Sequence, residues 1–138
     1  MFVEVNSMIT RGTTPYHSFV LPLKTEDISE VYITYLQNRE IILDKVLSES
    51  EAIEIIDIDD EYENASMNEP LEDFVPSCEL TIHLTQEDTL KFHFYPAAEK
   101  NIAVIQIRVL TTEGEAYASE PIHERIFGIL KDGVIGNE

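Results

Sequence analysis

Positive charge is the scarcest resource in this sequence: nine basic residues stand against 27 acidic ones, a formal charge of −18. Recognition of a phosphate backbone needs a basic surface, so nucleic acid is not an expected partner, while the charge leaves room for a basic protein, a metal ion or a cationic patch on a partner. There is one cysteine, Cys78, so no intramolecular disulfide can form, which fits a reducing compartment. Five glycines, none in a glycine-rich loop ahead of a helix, leave no phosphate cradle. Tryptophan is absent, which disfavours a sugar-cleaving cleft. No apolar run approaches the roughly 18 residues that span a bilayer. The opening Met1-Phe2-Val3-Glu4-Val5 lacks the cationic and long apolar regions of a secretory signal. We therefore expect neither a membrane span nor export.

What is present is enough for one domain. A chain of 138 residues buries about two-thirds of the surface its unfolded form exposes. The acidity is uneven: eleven carboxylates and no Lys or Arg lie between positions 48 and 77, which leaves the remainder at only −7.

Period-2 patterning dominates outside that segment. Val31, Ile33 and Tyr35 alternate with Tyr32, Thr34 and Leu36, and after Gln37-Asn38-Arg39 an extended pattern resumes over residues 40–47, so a hairpin is expected. Leu80, Ile82 and Leu84 mark another strand. Ala103, Ile105, Ile107 and Val109 mark a long one, followed by a turn at Gly114 and a returning strand over residues 116–119. Residues 18–21, between Pro15 and Pro22, read as an edge strand. Thr85-Gln86-Glu87-Asp88 is a near capping box, predicting a helical turn over residues 86–91. Residues 122–130 fit either a strand or a short helix. Some seven short strands with little helix give a mainly β fold, a sandwich or small barrel. We expect an antiparallel, immunoglobulin-like β-sandwich over residues 8–138, preceded by an extension at 1–7, with 49–77 as a long acidic insertion.

Candidate chemistry is sparse. Asp57-Ile58-Asp59-Asp60-Glu61-Tyr62-Glu63 offers carboxylates for a hard cation, but an EF-hand loop counted from Asp57 has Tyr62 where it needs Gly and Asn68 where it needs Glu. A solvated acidic loop is the expectation, with no metal and no cofactor. His17, His83, His93 and His123 lack zinc-ligand spacing, and His123-Glu124 is followed by Phe127 where a metalloprotease motif has its second His. Cys78 has no evident activating base and reads as a small core residue. No catalytic residue is assigned.

Four stretches, Met8-Ile9-Thr10-Arg11-Gly12-Thr13-Thr14-Pro15, Leu84-Thr85-Gln86-Glu87-Asp88-Thr89-Leu90-Lys91-Phe92, Ile105-Gln106-Ile107-Arg108-Val109-Leu110 and Ile129-Leu130-Lys131-Asp132-Gly133-Val134-Ile135, together resemble a family of small proteins encoded among the tail genes of phages and prophages of gut Firmicutes. The layout is also similar to the N-terminal β-sandwich module of phage upper-baseplate proteins. The resemblance covers roughly residues 8–48 and 78–135. This sequence departs from it in having seven residues before Met8 and in carrying the acidic segment 49–77 where others have a short connection. The family has no established activity, so no site residue is inherited.

The resemblance implies a non-enzymatic structural protein of the virion tail or baseplate, assembled in the bacterial cytoplasm, whose partners are other tail proteins or further copies of itself. Two alternatives are an acidic regulatory or inhibitory phage protein, a partial DNA mimic that binds a basic host protein, and a carbohydrate-binding receptor module. For the interface we single out Ile102, Val104 and Leu110 on the second face of the long strand. To these we add Ile126, Phe127, Ile129 and Leu130 near the end, because they are more apolar than a water-facing strand or a small domain requires.

Overall fold

The structure is a computed structural model that describes residues 9–58, 76–98, 101–129 and 133–136. Nine strands are seen among them: β1 (Ile9–Thr10), β2 (Tyr16–Leu21), β3 (Ile28–Gln37), β4 (Glu40–Val46), β5 (Ile53–Ile58), β6 (Ser77–His83), β7 (Ile102–Thr111), β8 (Ala116–Ala118) and β9 (Ile122–Phe127). One α-helical turn, α1 (Gln86–Leu90), joins β6 to β7.

The strands form two layers. The large sheet runs β1-β9-β7-β3-β4 with β8 also paired to β7, and the small sheet runs β2-β6-β5. Three strands in the B-E-D order face a six-stranded sheet whose β9-β7-β3-β4 run follows the G-F-C-C′ order, which is the arrangement of an immunoglobulin-like sandwich. The expected antiparallel pairing holds for all ladders but one: β1 pairs β9 in parallel, with Ile9 opposite Ile126.

Strict alternation builds the core. Val31, Ile33 and Tyr35 of β3 and Ala103, Ile105, Ile107 and Val109 of β7 are buried from the large sheet, and Phe19, Leu21, Leu80 and Ile82 meet them from the small one. Their polar or half-buried neighbours point outward, as a period of two demands. Cys78 lies in the same core, as its sequence context implied.

The β3–β4 hairpin turns on Asn38 and Arg39, both at positive φ (52° and 66°). That is the mirror-image turn whose twist matches a hairpin, here tolerating Arg where Gly is usual. A register shift after Tyr35 pairs Leu36 with Ile41 and leaves Ile42 as an extra residue in β4.

The segment 49–77 is not an insertion throughout. Residues 53–58 pair with β6 in continuous register, Ile53 is buried and Ile55 packs against the core. The run Ile53-Glu54-Ile55-Ile56-Asp57-Ile58 alternates imperfectly, and its charge masked a strand. Asp59 to Glu63 of the acidic cluster weighed as a cation site and Asn68 lie outside the described residues, as do residues 1–8. Residues 122–127 resolve as a strand, because pairing with β7 supplies the backbone partners that an isolated stretch lacks.

Candidate functional site

Two regions gather the residues singled out in the sequence. The first is the outer face of the large sheet. With Ala103 and Ile105 buried, Ile102, Val104 and Leu110 of β7 necessarily point outward, and all three are half-buried there. The register sets Leu36 of β3 beside Val104 and Ile41 of β4 beside Leu36, while His123 of β9 flanks Val104 on the other side. An apolar stripe thus crosses three strands, β7, β3 and β4, and it ends at Ile41, which is 59% exposed. Arg108 lies over the Tyr32 ring at 5.2 Å and Arg125 over the Phe127 ring at 5.6 Å, so two cations border the stripe.

The other predicted interface residues are divided by the fold. Phe127 lies on this outer face, but Ile126 faces inward and is 1% exposed, a core residue rather than a contact residue. Adjacent strand residues cannot both face out. Ile129 sits elsewhere, packed near Gly12, and Leu130 lies outside the described residues. Tyr32, Leu36 and Ile41 were missed as members of the face. The alternation that buried Val31, Ile33 and Tyr35 already put Tyr32 and Leu36 on the opposite side, but no sequence signal placed β3 beside β7.

The second region lies around α1, where residues of the stretches 8–15, 84–92 and 129–135 meet. Arg11 donates from Nε to the Phe92 carbonyl at 2.7 Å and from Nη2 to that of Leu90 at 3.1 Å, satisfying the C-terminal end of α1. Thr89 Oγ1 donates to the Thr13 carbonyl, and Leu84 N–H to that of Pro15. Gly12, at φ +79°, closes a turn in which Thr13 N–H reaches Thr10 O, and an added side chain would meet Ile129 at 2.9 Å. Gln86 clamps the backbone of Ile135, donating to its carbonyl at 2.9 Å and accepting from its N–H at 2.7 Å. Gln37 grips His93, and Asn101 grips Tyr95, in the same two-bond manner. Side-chain amides here do for irregular backbone what a neighbouring strand does elsewhere.

The predicted capping box is present: Asp88 N–H donates to Thr85 Oγ1 and Thr85 N–H to Asp88 Oδ2, each at 3.0 Å. Lys45 of β4 lies 3.3 Å from the Asp88 carboxylate. Burial pushes the Asp88 pKa up, but the Thr85 N–H and the Lys45 charge outweigh it, and the net shift is downward. Beside α1, a depression of about 360 Å³ is lined by Thr14, His83, Thr85, Gln86, Glu87 and Val134. At its rim Tyr16, 61% exposed, stacks on His83 with ring centroids 4.1 Å apart.

The remaining titratable groups are dispersed. His17 Nδ1 and the Tyr35 hydroxyl are 2.9 Å apart inside the core, tying β2 to β3 across the layers. Burial, with smaller contributions from Glu124 and Asp88, drives the Tyr35 phenol far up. Burial likewise raises the Cys78 thiol to about 11, which keeps it protonated and unreactive at neutral pH. Glu124 has lost enough solvent to titrate at about 7. Among the described residues no three His, Cys, Asp or Glu side chains come together as a metal site would require. Asp57, the described member of the sequence cluster, instead accepts the Thr25 N–H at 2.8 Å. No family model and no curated protein matches the chain.

Proposed function

We propose that this protein is a non-enzymatic accessory domain of a phage tail or baseplate that works by docking on other tail proteins. The observation that carries this reading is the outer face of the large sheet. A sheet face meant only for water alternates apolar-in with polar-out. Here Ile102, Val104, Leu36 and Ile41 line up across three strands, with Arg108 and Arg125 beside them in a chain of formal charge −18. An apolar stripe with a charged border is the composition of a specific protein contact. The braced end of the sandwich supports the same assignment: three of the four stretches that resemble the tail-gene family are held together there by Arg11, Thr89 and Gln86.

The test is biochemical. Purified particles should contain the protein, and the double variant Val104→Glu/Leu36→Glu should fold yet be missing from particles assembled in its presence. Normal incorporation of that variant, or particles that lack the wild-type protein altogether, would refute the proposal. A second reading, a saccharide-binding module, is favoured by the Tyr16–His83 stack at the rim of a depression lined by hydroxyl, amide and carboxylate groups. Tyr16→Ala should then abolish binding to host cell-wall polysaccharide and leave particle incorporation intact.

A further inference from the structure

The small sheet ends on β5, and no described strand lies on its outer edge. The other strand edges are blunted. Among the described residues, β4 carries the extra residue Ile42 and turns Lys45 toward Asp88, β2 is bounded by Pro15 and Pro22, and β8 has three residues. Bulges, inward charges, proline and brevity are the ordinary guards against edge pairing. β5 has no Pro, Lys or bulge: six residues run in unbroken register against β6, and the one charge on its inward row, Asp57, is taken up by the Thr25 N–H at the end of the strand.

The direction of its free backbone groups follows from the ladder. His83 N–H donates to Ala52 O at 2.9 Å, making Ala52 and His83 a hydrogen-bonded pair. In an antiparallel ladder such pairs alternate with open ones. Glu54/Thr81 and Ile56/Glu79 are therefore bonded pairs, and the N–H and C=O groups of Ile53, Ile55 and Asp57 point away from β6. Between them stand side chains of two kinds. Glu51 and Glu54 are exposed carboxylates, and Ile56 is 63% exposed. Asp57, beside them, is engaged by the Thr25 N–H.

We propose that the β5 edge accepts an extended basic segment of a partner protein as a fourth strand of the small sheet. Charge decides the occupant. Two copies of this chain meeting through β5 would set Glu51 and Glu54 against their own kind in molecules of −18 each, and like charges opposite one another destabilise a strand pair. A cationic strand gains from the same groups. Its inward residues would continue the Ile53 and Ile55 face and should be apolar. Its outward residues would lie beside Glu54 and Ile56 and should alternate in a cation. Main-chain bonds supply the affinity in such an addition and the side-chain alternation supplies the choice. This contact uses different residues from the docking face of the large sheet, so either can fail without the other.

The probe is a synthetic peptide alternating lysine and valine, compared with one alternating glutamate and valine, at low and at moderate salt. Amide hydrogen exchange followed by NMR should show new protection at Ile53, Ile55 and Asp57, while Glu54 and Ile56, already bonded to β6, change little. The Glu51→Lys/Glu54→Lys variant, altered only at exposed positions, should bind the lysine peptide about tenfold more weakly or worse, and added salt should weaken the wild-type complex. Four results would each overturn the proposal: no added protection on β5, protection of those three amides already in the free monomer, protection that grows with protein concentration alone, or unchanged binding by the charge-reversed variant.

Discussion

The Asp88 side chain joins two separate interactions, and its removal provides the sharpest test of how the braced end is held. The Asp88→Ala variant loses the acceptor for the Thr85 N–H and leaves Lys45, whose side chain is 25% exposed, without its ion partner. Loss of a helix-capping acceptor costs about 1 kcal/mol, and stranding a partly buried charge adds about as much again. We expect a total of about 2–3 kcal/mol. In urea, with a slope of about 1–3 kcal/mol/M for a domain of this size, the midpoint should fall by roughly 1–2 M. Asp88→Asn keeps an oxygen for Thr85 and should lose only about 1 kcal/mol. Coupling between Asp88→Asn and Lys45→Met in a double-mutant cycle should be about 0.5–1.5 kcal/mol. The pH dependence has a definite sign. Because the folded carboxyl titrates below its ordinary value of 3.8, its contribution is fully present above that pH and disappears as pH falls through the lower, folded value. The difference in stability between wild type and Asp88→Asn should therefore be flat near neutrality and shrink in acid below 3.8. A cost for Asp88→Ala below about 0.5 kcal/mol, or zero coupling to Lys45, would refute the claim that this carboxylate anchors α1 to β4.

Three further outcomes can be checked with standard measurements. Ile53→Ala should destabilise by about 2–4 kcal/mol and Ile56→Ala by less than about 0.5 in chemical denaturation, because one side chain is 6% exposed and the other 63%; equal effects would mean that β5 is not a core strand. Glu124 titrates at about 7 in the folded chain against an ordinary 4.5, so its contribution to stability is complete below 4.5 and is lost as pH rises through 7. Relative to wild type, Glu124→Gln should thus be more stable above pH 7, by on the order of 1 kcal/mol, with the advantage vanishing toward pH 4.5, as thermal melts across that range would show. Cys78, buried and with its thiol raised to about 11, should react with a thiol reagent only at the rate of unfolding, and rapid labelling of native protein would contradict its place in the core.

Local pattern was enough to determine much of this molecule. Period-2 runs at residues 31–36, 80–84 and 103–109 specified buried faces because a pleated strand offers no other way to sort its side chains. The Thr85–Asp88 box announced its own helical turn because both of its hydrogen bonds close within four residues. What sequence left undecided depends on partners distant in the chain. β5 was read as part of an acidic loop because its carboxylates hid a strand that only pairing with β6 defines. Residues 122–127 became a strand because β7 offers an edge to them, and that pairing turned Ile126 inward and Phe127 outward, dividing a run that looked like one apolar surface. The stripe from Ile41 through Leu36 and Val104 exists only in the register of β4 on β3 and of β3 on β7. Arg11, 79 residues before Leu90, caps a helix whose identity its own neighbourhood does not record. Burial within a strand is a local matter of alternation, while the composition of a surface depends on which strands lie side by side, and only the folded chain decides that.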